Sequence, residues 1–310
     1  MENLIFLMSL PRSGSTWLQR LLASNETINT TSESWILLPL FEVLFKGRAL
    51  TEYNQFVANI AQNEFFDKLQ LDKKSFQESI VESYRNLFSQ AAGNTGAYYL
   101  EKTPRNYLVI DQIIEYFPKS KFIFLWRDPA DVALSLSRSY AGKWNTFFRY
   151  EIDFKVGLQN LVNGNKKLGA ASYSIRYEDI RKSKEESLEN LYAYLGIGSD
   201  IFEENEIGRN KIIGTYGDKS YLGGSYRGPI SKSERNSIIK VLEGIDESIF
   251  EYMGYQKDNS IRKVASEKTR FIEPRNIIHP LLQWAYHNQL AASMHRWRGS
   301  PTGFPDFGVE

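Results

Sequence analysis

The feature that most constrains the fold is a short apolar run that leads through a tight loop into a helical pattern. Leu4–Met8 reads LIFLM, a continuous apolar stretch typical of a buried parallel strand. The loop Pro11–Thr16 reads PRSGST, and Thr16–Ala23 has the spacing of a helix. In a strand, loop and helix of this kind, backbone N–H groups and the positive end of the helix dipole bind phosphate or sulfate. The unit therefore predicts an anion-binding α/β domain.

Further strands and helices alternate along the chain. Strands are predicted at Ala97–Leu100, Lys121–Trp126 and Tyr173–Tyr177. Helices are expected to begin after Thr103 and Asp128, each followed by a proline at the first helical position, and one is expected to end at Gly196. This alternation predicts an α/β fold with a P-loop-like parallel sheet flanked by helices on both faces.

The stretch 25–96 differs from the rest of the chain. It contains helical patches at Leu37–Phe45, Phe56–Leu69 and Phe76–Ala91 but no strand pattern. We interpret it as a helical insertion, or lid, covering the active site of a single domain that spans 1–310. A C-terminal helix and tail are expected at 270–310. The aromatic residues of the insertion either line an acceptor pocket or form its helical core.

Composition excludes several classes of protein. The contents of 42% hydrophobic and 24% charged residues are ordinary for a folded domain. A net charge of +1 gives no field for nucleic acid or membranes, and the absence of cysteine rules out disulfides and cysteine-ligated metals. His279, His287 and His295 lie too far apart for a metal pair on one helix. No leader or membrane stem is recognisable, so we expect a cytoplasmic protein.

Two cations are the main candidates for binding an anion. Arg12 lies in the first loop beside Gly14, which permits close backbone approach. Arg127 ends the strand Lys121–Trp126, and Ser135 follows eight positions later, two turns into the next helix. Both lie where open α/β sheets bind ligands. A plain salt-bridge role for Arg127 is the alternative. The first loop lacks the lysine of a Walker A motif, which argues against a P-loop kinase or NTPase.

Taken together, PRSGST and RDPADVALS resemble the motifs of sulfotransferases that use 3′-phosphoadenosine 5′-phosphosulfate (PAPS). The resemblance runs from about residue 4 to 195 and implies that PAP is the product and that no metal is needed. It assigns the 3′-phosphate to Arg127 and Ser135, and it places Tyr177, in the sequence IRYED, near the adenine. It assigns the 5′-phosphosulfate to Arg12, Ser13, Gly14, Ser15, Thr16 and Trp17.

The arginine in the loop is similar to that of tyrosylprotein sulfotransferases and of bacterial sulfotransferases from metabolite pathways. In that group the resemblance implies Glu33 as the general base, with Lys102 and Arg12 stabilising charge on the sulfuryl group and the leaving phosphate. Two other interpretations stay open. In the first, Glu33 is a solvated loop residue. In the second, Lys102 pairs only with Glu101.

The acceptor is expected to be a hydroxyl or amine of a small molecule or glycan. Ile36 stands where tyrosylprotein enzymes place an arginine, which argues against a protein tyrosine. The dimer motif of cytosolic members is absent, so the oligomeric state stays open. Arg227, in the loop Tyr216–Gly228, is a further candidate to close over the nucleotide. The remaining alternative is a nucleotide-binding protein without catalysis.

Overall fold

The computed structural model is built around a sheet of five strands. It describes residues 3–45, 55–93, 98–139, 147–198, 203–212 and 228–270. The strands are β1 (Leu4–Met8), β2 (Ile28–Thr30), β3 (Tyr98–Glu101), β4 (Lys121–Trp126) and β5 (Ser172–Arg176). They lie in the order β2-β3-β1-β4-β5, and every neighbouring pair is parallel. The predicted parallel α/β sheet is confirmed.

Helices connect the strands. The first four are α1 (Ser15–Ala23), α2 (Gln55–Lys68), α3 (Lys73–Ala92) and α4 (Ile110–Tyr116). The next four are α5 (Pro129–Ser139), α6 (Leu158–Leu168), α7 (Tyr177–Lys182) and α8 (Lys184–Leu195). The last four are α9 (Glu206–Asn210), α10 (Lys232–Glu243), α11 (Glu247–Tyr252) and α12 (Lys257–Ala265).

Shorter elements complete the described chain. One α-helical turn is Leu37–Pro39, which continues as the π-helical Leu40–Phe45, and a second π-helical turn is Asp153–Gly157. The 3₁₀ turns are Pro104–Val109, Phe147–Tyr150 and Gly169–Ala171. A small parallel pair is formed by β6 (Ile230–Ser231) and β7 (Thr269–Arg270). None of the described helices combines the length and apolar character needed to cross a membrane.

The sheet separates two hydrophobic cores. Successive side chains of a strand point to opposite faces. Leu4, Phe6 and Met8 therefore enter the core built with α3 to α6 and α10 to α12, whereas Ile5 and Leu7 enter the core built with α1, α7 and α8. All five are buried. A strand buried on both faces needs the continuous apolar run seen in the sequence.

Two of the predicted helix boundaries are confirmed. At the third, a helical turn begins where predicted, but the predicted capping hydrogen bond is not formed. Asp128 Oδ1 accepts the Ala130 N–H at 2.9 Å at the start of α5, and Gly196, with φ of 74°, ends α8. Thr103 does precede a helical turn, but its side chain makes no cap. Its hydroxyl donates to Glu101 instead, at 2.7 Å.

The prediction that 25–96 contains no strand is wrong at the start of that stretch. Ile28–Thr30 pairs with β3 and forms the edge of the main sheet. Three residues are too few to show a strand period, and the contacts that hold them come from distant positions. Thr30 Oγ1 donates to the Leu100 carbonyl at 2.6 Å, and Lys211 Nζ donates to the Ile28 carbonyl at 2.7 Å. The predicted helices of the segment are present, and a role for it as a lid stays a prediction.

Candidate active site

The motifs predicted to carry chemistry meet at one edge of the sheet. Because all five strands are parallel, their carboxyl ends lie along the same edge, where open α/β sheets bind ligands. The segments that leave this edge are 9–14, 31–35, 102–103, 127–128 and 177–179. They contain or directly precede most of the predicted site residues.

The loop after β1 has a backbone that its sequence specifies. Gly14 has φ of 92°, and a Cβ atom built there would lie 2.5 Å from Cδ2 of Tyr177, so only glycine fits. Arg12 also has a positive φ, 68°. Ser13 and Ser15 are buried, and α1 begins at Ser15. The first N–H groups of a helix have no acceptor within it and carry partial positive charge. This end of α1 therefore suits an anion.

Both arginine motifs come together in space. Arg127 Nη1 donates to the Arg12 carbonyl at 2.9 Å, and Arg12 Nε donates to Ser135 Oγ at 3.3 Å. The Nε atom of Arg127 is buried and has no hydrogen-bond partner among the residues that the structure describes. A buried guanidinium N–H without an acceptor is costly unless a ligand supplies one. The structure thus brings Arg12, Arg127 and Ser135 into one cluster of donors.

Two aromatic residues form the wall beside this cluster. The Arg127 guanidinium lies over the ring of Tyr177, 4.6 Å from its centroid. Trp17 meets Tyr177 edge to face, with centroids 5.8 Å apart. Tyr177 therefore contacts both the first loop and the second arginine, and its predicted place beside an adenine stays a prediction.

Lys102 connects the first loop to Glu33. Its Nζ lies 2.9 Å from Glu33 Oε1 and donates to Thr16 Oγ1 at 3.3 Å. The Lys102 side chain is 1% exposed and the Glu33 side chain 15%. Burial lowers the pKa of Lys102, an effect that the charge of Glu33 opposes. Lys102 therefore pairs with Glu33 and not only with Glu101, and the Glu33 side chain is largely shielded from solvent. The catalytic roles of both residues stay predictions.

Sequence reasoning did not predict the hydrogen bonds that surround this ion pair. Glu101 accepts from Ser34 Oγ at 2.9 Å and from Thr103 Oγ1 at 2.7 Å, and Trp35 Nε1 donates to Glu33 Oε2 at 3.1 Å. Glu101 is buried, and burial raises its pKa. The available signal was its position, since it is an acidic residue at the carboxyl end of a parallel strand, directly before Lys102.

Some of the predicted residues cannot be placed. Arg227 and the three histidines lie outside the described residues, as does the predicted C-terminal helix and tail at 270–310 except for Arg270, which belongs to β7. Within the described part of the chain, no group of three or more His, Asp or Glu side chains is arranged to hold a metal ion.

One family model and two curated proteins match this chain. A family model described as the sulfotransferase family matches residues 4–200. Nodulation protein NoeE of Sinorhizobium fredii (strain NBRC 101917 / NGR234) is 28% identical over 135 residues, covering 44% of this chain and 31% of that protein. An uncharacterized protein of Aquifex aeolicus (strain VF5) is 22% identical, covering 77% of this chain and 32% of that protein. The chain thus spans about a third of the length of these curated relatives.

Among solved structures, the chain is similar to the sulfotransferase domain from the curacin biosynthetic pathway. The two are 20% identical, the match covers 86% of this chain and 97% of that one, and the TM-score is 0.49.

Proposed function

The chain belongs to the sulfotransferase family, and on that basis we propose that it moves a sulfuryl group from PAPS to a hydroxyl or amine of a small molecule or glycan. Glu33 is the general base in this proposal. Lys102 and Arg12 stabilise the charge that develops, and PAP is the product. When bound, PAPS supplies the activated sulfuryl group, while the protein supplies alignment and charge.

The observation that carries the proposal is the position of Lys102 between Thr16 and Glu33. One ammonium contacts both the loop that resembles a 5′-phosphosulfate site and the carboxylate proposed as base. A proton acceptor and a cation thus converge on the start of α1, where an anionic donor is favoured. Lysine is almost never fully buried unless it is paired, and Lys102, whose side chain is 1% exposed, is paired with Glu33.

The residues present fit a nucleotide that carries two phosphate-type groups. The N-terminus of α1 and Arg12 suit one group, and Arg127 with Ser135 suits the other. The unpartnered Nε of Arg127 supports this assignment, since a phosphate oxygen is the acceptor that it lacks among the described residues. Tyr177 and Trp17 add an aromatic wall next to the same guanidinium.

Glu33 is suited to accept a proton from the acceptor. Its Oε1 atom lies 2.9 Å from the Lys102 ammonium, and its side chain is 15% exposed. A carboxylate has more lone pairs than the two contacts from Lys102 and Trp35 occupy, so an acceptor hydroxyl has room to donate. The same Lys102 ammonium, through its reach to Thr16, lies where negative charge on the donor would grow.

The acceptor is proposed to bind to the helical segment 25–96, with Trp35 as one of its contacts. Trp35 follows Glu33 closely and is 38% exposed, so its indole forms surface beside the proposed base. Ile36 leaves this position without the cation expected for a tyrosylprotein enzyme. A small molecule or glycan is therefore preferred to a protein tyrosine.

The test is to incubate the purified chain with PAPS and pools of candidate acceptors. Mass spectrometry then looks for acceptors that gain one sulfuryl group, with PAP release measured in parallel and Glu33→Gln as the control. We expect a gain in at least one pool that the control lacks. PAP binding with no transfer in any pool would favour a non-catalytic nucleotide-binding protein instead.

A further inference from the structure

Two chain segments run side by side at the proposed active site and are joined at three successive positions. Segment 33–35 follows β2, and segment 101–103 begins at Glu101, the last residue of β3. Glu33 pairs with Lys102, Ser34 Oγ donates to Glu101 Oε2, and the Trp35 N–H donates to Thr103 Oγ1 at 3.3 Å. The proposed mechanism uses the first of these contacts and leaves the other two unexplained.

Glu101 is the centre of the two unexplained contacts. It is 2% exposed and accepts hydrogen bonds from Ser34, from Thr103 and, at 3.4 Å, from Asn106 Nδ2. Burying a carboxylate is costly, and these donors offset that cost. Glu101 thus holds Ser34 directly. It holds Trp35 indirectly, because Thr103 bonds both to Glu101 and to the Trp35 N–H.

The backbone beside Glu33 needs such support. Trp35 has φ of 56°, a left-handed conformation that is uncommon for any residue other than glycine. Strained backbone persists only where the surroundings fix it, and it concentrates at functional sites. Here the Trp35 N–H is held by Thr103, while its indole N–H is held by Glu33 itself.

We propose that Glu101 is a positioning residue that fixes the Glu33 carboxylate through Ser34 and the Thr103–Trp35 contact. The inference rests on the proposed function, in which Glu33 is the base. Glu101 does not touch the reacting atoms in this account. Its effect is to keep Glu33 facing Lys102 and the start of α1, so that little reorganisation is needed when an acceptor binds.

Ser34→Ala is the sharpest variant, because it removes one contact to Glu101 and leaves every charged group in place. Since hydrogen bonds to charged groups are among the stronger ones, we expect kcat to fall about tenfold. PAP affinity by calorimetry should stay unchanged, whereas the thermal midpoint should fall, because the buried Glu101 side chain loses one of its three donors. Ser34→Thr keeps the hydroxyl and should restore kcat. Ser79→Ala, a matched loss of hydroxyl on the exposed face of α3, should have no effect.

The decisive step repeats Ser34→Ala and Glu101→Gln in a Glu33→Gln background. If Ser34 and Glu101 act through Glu33, both substitutions should have little further effect on the residual rate. The same fold-loss in both backgrounds would overturn the proposal, as would a normal kcat for Ser34→Ala. Should Glu101→Gln fail to fold, Ser34→Ala alone decides the outcome.

Failure of the proposed function looks different. If Glu33→Gln retains full activity, the base assignment is wrong and the positioning role is wrong with it. If Glu33→Gln is impaired while Ser34→Ala is not, only the positioning role is wrong.

Discussion

Lys102 Nζ lies 2.9 Å from Glu33 Oε1, although the two residues are 69 positions apart in the chain. The contact arises because β2 and β3 are adjacent parallel strands, and the two residues follow the carboxyl ends of those strands. The same ammonium reaches Thr16 at the start of α1. Three separate segments therefore meet at one cation.

The charge on Lys102 should set the alkaline limit of activity. Burial lowers its pKa, so it loses its proton at a lower pH than an ordinary lysine, whose pKa is about 10.4. Activity that needs the charged form is complete below the folded-state pKa and falls as pH rises through it. We expect the alkaline limb of the kcat profile below that ordinary value. Lys102→Arg should move the limb to higher pH, and a limb that Lys102→Arg leaves in place would refute the assignment.

The 3′-phosphate should be recognised by Ser135 and Arg127. A hydrogen bond to a charged group contributes about 1.5–3 kcal/mol, or roughly ten- to hundredfold in affinity. Ser135→Ala should weaken PAP binding towards that range and should weaken the binding of adenosine 5′-phosphosulfate less, because Ser135 also accepts a hydrogen bond from Arg12. Arg127→Ala should weaken PAP binding by a similar factor. It should also weaken the binding of adenosine 5′-phosphosulfate somewhat, because Arg127 holds the Arg12 carbonyl.

Calorimetry with both ligands tests this assignment. Ser137→Ala is the control on the same helix, since its buried hydroxyl has no hydrogen-bond partner among the described residues. Equal losses for the two ligands in Ser135→Ala would contradict a 3′-phosphate role.

Gly14→Ala should damage the anion loop. An alanine in the left-handed conformation costs roughly 1–2 kcal/mol, and its Cβ would also clash with Tyr177 at 2.5 Å. Gly196→Ala separates the two effects, because Gly196 has φ of 74° and a Cβ atom built there meets no described residue within 4 Å. Thermal unfolding should show a loss for both variants, larger for Gly14→Ala. Only Gly14→Ala should weaken PAP binding, and unchanged PAP binding would show that the loop does not contact the nucleotide.

Turnover should continue without divalent metal. A sulfuryl group carries less charge than a phosphoryl group, and the loop lacks the lysine of ordinary P-loop NTPases. The rate should therefore be the same in EDTA and in Mg²⁺. A loss in EDTA that Mg²⁺ restores would support a kinase-like enzyme.

Much of the fold was predictable because the signals were local. LIFLM and KFIFLW are continuous apolar runs, and the two strands that they form have the predicted bounds. Ile28–Thr30 was not predictable, because three residues show no period and its stabilising contacts come from β3 and from Lys211. Propensity and period describe neighbours in sequence, whereas an edge strand of this length depends on partners elsewhere.

The candidate site was predictable by residue type but not by contact. Arg12, Glu33, Lys102, Arg127 and Ser135 were identified from motifs, and their order along the chain says nothing about which of them touch. The hydrogen bond from Arg12 to Ser135 depends on the spacing of β1 and β4. The burial of Glu101 was not predicted, because a buried acidic residue and a solvated one look alike in sequence.

The most direct test of the account is the turnover of Glu33→Gln with PAPS and an identified acceptor. Glutamine keeps the shape of the side chain and removes its basicity, so kcat should fall by roughly 10²–10⁴-fold, with PAP affinity by calorimetry nearly unchanged. Glu64→Gln, on the exposed surface of α2, is the matched control and should behave as the unmodified protein. Near-normal turnover of Glu33→Gln would contradict the account, and a base from the C-terminal region, with His287 tested first, would take its place.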